Sequence, residues 1–182
     1  MRRDTVEDGG RPSFAGAVIE AFDVPPGADE PFLAAWEAER GGVPAARLHR
    51  ALRPDVAFRF VEITPVAARG GALYEVVGDD GTLLETQGGV VLIDLVAPPG
   101  ERFAAGWDAA RAGAAAQRGF LGARLYRDLG PAGFPFVGAM GWSSPLMLTR
   151  ALERPEFRQA REATASARRS ALYQVIRDAT AR

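Results

Sequence analysis

The sequence contains no cysteine, no lysine and no asparagine, and its single histidine is His49. Without cysteine there is no disulfide framework, no thiolate zinc or iron–sulfur site and no thiol nucleophile. One histidine excludes a multi-histidine metal centre within the chain, so no metal site is expected. Without lysine there is neither Schiff-base chemistry nor a P-loop lysine. The 22 arginines face 23 acidic residues, and a net charge of −1 offers nucleic acid no electrostatic attraction. No apolar stretch approaches the roughly 18 residues that span a bilayer, so no membrane segment is expected. Residues 1–12 are charged and carry no apolar signal core, which makes a cytoplasmic protein the expectation. What remains is an ordinary globular mixture of 182 residues, 47% hydrophobic and 25% charged. That length suits one domain or two small fused ones.

The chain repeats itself. Residues 18–27 read VIEAFDVPPG and residues 92–100 read LIDLVAPPG. Each is followed by a Phe-x-x-x-Trp-acid block, Phe32 to Glu37 and Phe103 to Asp108. Ala46-Arg47-Leu48-His49-Arg50 matches Ala123-Arg124-Leu125-Tyr126-Arg127, and Phe58-Arg59-Phe60-Val61 matches Phe134-Pro135-Phe136-Val137. Last, Ala72-Leu73-Tyr74 matches Ala171-Leu172-Tyr173. Blocks recurring in one order indicate duplication. The two tryptophans stand 71 residues apart, Arg47 and Arg124 77, and Leu73 and Leu172 99. The second copy therefore carries about 22 extra residues late in its course, about six helical turns.

Hydrophobic periods give the elements. In the second copy, residues 89–96 form an apolar strand broken only by Asp94, and Pro98-Pro99-Gly100 launches a helix over 101–116. Strands follow at 119–128 and 134–142, then a helical stretch from Ser144-Pro145 to about 167, interrupted at Pro155, and a last strand at 170–177. The order is βαββαβ, the ferredoxin-like unit. The first copy reads strand 17–24, helix 28–40, strands 45–52, 57–64 and 73–77, with room only for a turn between 64 and 73. Its second helix is missing. The fold class expected is α+β: two ferredoxin-like repeats, at 17–78 and 89–178, after a tail at 1–16 and joined by a linker at 79–88. A sheet with helices on one face leaves the other bare, and a tandem copy covers it, forming a pseudo-dimer within one chain. Further association into a homodimer stays open.

In this order, the strand ending in Pro-Pro-Gly, the Phe-x-x-x-Trp helix, Gly119-Phe120-Leu121-Gly122-Ala123-Arg124-Leu125-Tyr126-Arg127, Phe136-Val137 leading to Trp142-Ser143-Ser144, and the final Leu-Tyr strand resemble the antibiotic biosynthesis monooxygenase family of the dimeric α+β barrel superfamily. The resemblance spans about residues 17–178. It implies a cofactor-independent monooxygenase-like tailoring enzyme that oxidises an aromatic polyketide or similar small molecule with O2. Other members of this barrel are polyketide cyclases, haem-degrading enzymes or proteins without assigned chemistry, so a non-oxidative cyclase and a non-catalytic binding protein are the alternatives. Where the family often places asparagine, this chain has Glu20 and Asp94 on the first strands and Glu62 and Gly138 on the third. An amide-assisted mechanism lacks its amides here.

The expected catalytic set is Asp94, Arg124, Tyr126 and Trp142, in a pocket between the second sheet and its own helices. Asp94 either faces a wet pocket as acid or base, or pairs with an arginine such as Arg124. Arg124 would steady a phenolate, while Tyr126 and Trp142 stack on a flat substrate or simply fill the core. The second choice is Glu20, His49 and Glu62, converging as an acid–base group in the first copy, unless His49 is only a strand residue. Haem ligation by His49 is a remote alternative, and no cofactor is expected. Trp36 and Trp107 read as core, and Arg150, Arg154, Arg158 and Arg161 as a solvated helical face. Gly70-Gly71 and Gly88-Gly89 lack a nucleotide-binding context, and Ser143-Ser144 lacks that of a hydrolase nucleophile.

Overall fold

The computed structural model describes residues 16–40, 43, 45–65, 72–79, 89–98, 100–130, 133–164 and 168–178. The first half contributes strands β1 (Gly16–Phe22), β2 (Arg47–Ala51), β3 (Phe60–Pro65) and β4 (Ala72–Asp79), with helix α1 (Asp29–Arg40) after β1. The second contributes β5 (Val90–Val96), α2 (Glu101–Ala115), β6 (Phe120–Asp128), β7 (Phe136–Trp142), α3 (Pro145–Leu152), α4 (Pro155–Ala163) and β8 (Arg168–Asp178). Proline starts both α3 and α4, where a helix has no use for the missing N–H. Ser144 caps α3 by accepting from the Met147 N–H at 3.3 Å. The expected interrupted stretch is thus two helices, and β8 begins two residues earlier than its apolar pattern indicated. The link at 66–71, where a lone turn is expected, and the linker at 80–88 lie outside the described residues.

All eight strands close into one antiparallel barrel in the order β1-β3-β2-β8-β5-β7-β6-β4. Within the halves the order runs β4-β1-β3-β2 and β8-β5-β7-β6, the second being the first advanced by four. The halves join edge to edge through β2–β8 and β4–β6, so closure pairs their edge strands with each other.

Successive side chains alternate between the barrel interior and the outside. On β5, Ile93 and Leu95 point inward to meet Val61, Tyr74, Tyr126 and Tyr173. Leu92 and Val96 point outward beneath the helices, against Phe103, Trp107, Trp142 and Phe157. Outside the first half, Trp36 of α1 packs on Leu48 and Phe60. Trp36 and Trp107 are core, as their helical spacing indicates. Among the described residues α1 is the only helix on that half, and Leu73 and Val77 of β4 are each 42% exposed.

The β2–β3 and β6–β7 connections emerge at the same end of the barrel, because β2 and β6 run in the same direction. Their phenylalanines, Phe58 and Phe134, meet there edge to face at 5.6 Å. Each half's last strand reaches across to the other's connection. The Tyr173 hydroxyl donates to the Phe58 carbonyl at 3.0 Å, and the Phe134 N–H donates to the Tyr74 hydroxyl at 3.0 Å.

Candidate functional site

Asp94 lies on the outer face of β5 and is 1% exposed. Its oxygens accept from both Arg161 terminal nitrogens at 3.0 and 3.1 Å and from the Ser170 hydroxyl, which stands directly opposite on β8. Arg168 adds its Nε at 3.8 Å. The partner is therefore Arg161 and not Arg124, because Arg124 is on the inner face of β6, paired with Asp79 of β4. Arg161 is also not part of a solvated face. Phe157, Arg161 and Thr164 form one buried stripe of α4 and its cap, and their i, i+4, i+7 spacing was the signal that could have revealed it.

The four expected residues divide between two faces and do not meet. Arg124 and Tyr126 point into the barrel, whereas Asp94 and Trp142 point toward the helices. Trp142 is fully buried, between Phe120 at 5.6 Å and Phe157 at 5.7 Å, as a core residue. The space between the second sheet and its helices is filled by Phe103, Trp107, Trp142 and Phe157, none more than 2% exposed. Gly138 belongs to that packing. A Cβ there would stand 2.5 Å from Trp107, so the position admits no asparagine or any other side chain.

The second-choice group divides in the same way. Glu20 and Glu62 face outward and are direct neighbours across β1 and β3. Buried Glu62 accepts from the Trp36 indole at 2.7 Å and the Thr64 hydroxyl at 2.7 Å, and Arg40 sits between it and Glu20. His49 instead points into the barrel, 4% exposed, with Nδ1 at 3.1 Å from the Val61 carbonyl. A carbonyl only accepts, so Nδ1 carries the proton. Arg47, His49 and Tyr126 line an interior cavity of about 20 Å³, room for about one water and none for a haem. Burial pushes the Tyr126 hydroxyl up to about 12, with the Arg124 and Arg47 charges opposing.

The large cleft lies at the other end of the barrel, about 570 Å³, and sequence reasoning missed it. It opens because β2 leaves β8 early. The Leu52 N–H donates to the Leu172 carbonyl at 2.9 Å, and the chain then turns away through residues 53–59. Arg59 pins this departure, donating to the Ala51 carbonyl at 2.7 Å and to Asp29 at 2.8 Å. The first residues of β8 consequently have β5 on one side and the cleft on the other. Its walls are chiefly apolar: Val56, Phe58, Leu92, Leu95, Leu172 and Tyr173. Arg169 stands over the Phe58 ring at 5.6 Å, and Arg53 and Asp55 pair with each other at 2.6 Å. Of the expected residues only Asp94 adjoins it, through the lining residue Ser170. A smaller cleft of about 350 Å³ lies between β1 and the β6–β7 connection, with Tyr74, Phe134 and Glu20 on its walls.

No family model matches the sequence, and no curated protein matches it. Solved structures do match. An anthrone oxidase-like protein is similar at 13% identity and a TM-score of 0.63, over 90% of this chain and 92% of that one. A ferredoxin-fold protein from Listeria monocytogenes related to antibiotic biosynthesis monooxygenases gives 15% and 0.57, over 89% and 94%. LmHde, a heme-degrading enzyme from the same organism, gives 15% and 0.55, over 87% and 98%. The chain shares the fold of these structures, an α+β fold closed into a barrel of eight antiparallel strands. The likeness is one of fold, and chemistry has to be argued from the cleft.

Proposed function

We propose that this protein is a cofactor-independent, monooxygenase-like enzyme acting on an aromatic small molecule seated in the 570 Å³ cleft. The carrying observation is the cleft itself: it is large enough for a ligand, is lined by aromatic and aliphatic side chains, and has few polar groups to orient what enters. A dry wall lets an electron-rich ring meet O2 away from water. In the oxidation of an anthrone to a quinone, the methylene carbon gains one oxygen atom, and its two hydrogens leave as water with the other. The ring supplies the electrons and O2 accepts them. A cyclase asks for a placed acid and base. An oxygenase needs only a base, to take the substrate's proton, and among the described residues the one carboxylate lining the cleft is Asp55, paired with Arg53. Asp94 takes a positioning role behind Ser170, while Arg124, Tyr126 and His49 lie too far along the barrel to touch this ligand.

We also read the chain as the tandem of ferredoxin-like repeats at 17–78 and 89–178, the first without its second helix. The matching strand order and the reciprocal Tyr–Phe bonds support this, since residue i of one copy meets residue j of the other and the reverse.

Oxygen uptake on adding an anthrone, with the quinone followed by absorbance, tests the function. Uptake by the wild type and its loss in Ala171→Trp, which fills the cleft, is the expected result. Binding of aromatic compounds with no uptake would favour the second reading, a non-catalytic binding protein, which the pairing of Asp55 with Arg53 also supports.

A further inference from the structure

We infer that the ligand of this cleft is an acidic aromatic compound, with a carboxylate or phenolate oxygen, and that Arg169 is the residue that recognises its charge. The inference rests on the cleft reading above and adds the chemical class to it.

The argument is one of charge and preorganisation. Arg169 of β8 lines the cleft, and Arg168 of β8 and Arg161 of α4 stand behind the lining residue Ser170, on Asp94. One carboxylate, Asp94, serves both Arg161 and Arg168. Arg53 and Asp55 cancel each other. Among the described residues, the cleft wall and the group behind it hold four arginines against two carboxylates. Burial holds the Arg168 guanidinium below the usual arginine value, with Asp94 opposing and Arg161 adding to the effect. This corner has more positive charge than its own carboxylates balance.

Arg169 is the cation placed to use that surplus. Among the described residues it has no carboxylate partner, and its recorded contact is with the face of Phe58. That ring is itself held, because the Phe58 carbonyl accepts from Tyr173 and the ring abuts Phe134. The ring holds the exposed guanidinium at the cleft by cation–π attraction, and its planar fork matches a carboxylate in geometry. The ligand's own rings then lie along Phe58, Leu95 and Leu172, the apolar part of the same wall. Behind it, the bond from the Ser170 hydroxyl to Asp94 and the bidentate Arg161 pair hold this part of β8 in place, so Asp94 and Arg161 act as positioning residues. The smaller cleft is the internal contrast: among the described residues its one charged lining residue is Glu20, which repels an anion.

The test is calorimetric binding of 2-naphthoate, of its neutral methyl ester and of 2-naphthol, to wild type, Arg169→Gln and Ala171→Trp. Wild type should bind naphthoate roughly tenfold or more tighter than the ester, with the preference shrinking as salt is raised. Arg169→Gln, checked for native circular dichroism, should bind the ester as before and lose the preference. For 2-naphthol, an ionisation displaced to lower pH on binding identifies the phenolate source, and an undisplaced one leaves the carboxylate. Equal affinity for naphthoate and ester in wild type, or an undiminished preference in Arg169→Gln, overturns the charge inference while the cleft stands. Failure of every compound to bind, or binding that Ala171→Trp leaves intact, overturns the cleft reading itself.

Discussion

Replacing Asp94 by alanine removes the carboxylate that two buried or half-buried arginines share. Arg161 loses a bidentate pair at 3.0 and 3.1 Å, Arg168 loses its charge neighbour at 3.8 Å, and the Ser170 hydroxyl loses its acceptor. Breaking a buried pair from one side costs about 3–5 kcal/mol, since the remaining charge stays desolvated without compensation. At about 2–4 °C per kcal/mol for a chain of this size, the melting temperature should fall by roughly 6–20 °C. Asp94→Asn, which keeps the shape and part of the hydrogen bonding, should fall between. The double change Asp94→Leu with Arg161→Met should recover most of the loss, because similar-sized apolar pairs often replace buried ion pairs at little cost. Thermal and urea unfolding of the four proteins measures this directly. An Asp94→Ala protein melting within about 2 °C of wild type would refute the pairing, and a double variant as unstable as the single one would place the loss in packing instead.

Gly138→Ala should destabilise by about 1–3 kcal/mol in urea unfolding, because the new methyl meets Trp107 at 2.5 Å and Phe103 at 2.9 Å. A double-mutant cycle on Phe58→Ala and Phe134→Ala should return a coupling of about 0.5–1.5 kcal/mol across the barrel end, and additive losses would deny the contact. All three tyrosines, Tyr74, Tyr126 and Tyr173, are pushed up to about 12 by burial, so phenolate absorbance should appear about two pH units later than in the unfolded chain. The sign follows: between about pH 10 and 12 the unfolded chain loses these protons while the folded one keeps them. Stability is intact below pH 10 and declines above it, which urea midpoints across that range will register.

Much of the fold was legible because its determinants are local. The two Phe-x-x-x-Trp blocks, the Pro-Pro-Gly stops and the alternating apolar runs each depend on a few adjacent residues, and they mark strands and helices wherever they occur. Their repetition then implied two sheets that cover each other. The boundaries shifted by a few residues at β2, β3 and β8, where neighbouring strands extend or shorten a ladder regardless of the local pattern.

The site was less legible, for a reason visible on β5. Leu92 and Val96 face out while Ile93 and Leu95 face in, so both faces are apolar and alternation alone does not say which is the barrel interior. Period alone therefore names no partner for Asp94, and Arg124, expected in the same pocket on the helix side, instead pairs with Asp79. The true partner of Asp94 comes from α4, 67 residues along. The same applies to His49, whose strand neighbours do not reveal that Glu20 and Glu62 lie on the opposite face. By itself the sequence determined the repeated strand and helix pattern and the apolar surfaces that have to be buried, because those follow from period and composition. The tertiary structure alone decided which edges join, that β2 leaves β8 at Leu52, and that Phe58, Arg169 and Tyr173 consequently share one cleft. The β2–β8 seam and the cleft contacts join segments more than a hundred residues apart and the β4–β6 seam segments 45–54 apart, and no local pattern encodes which distant surface will meet them.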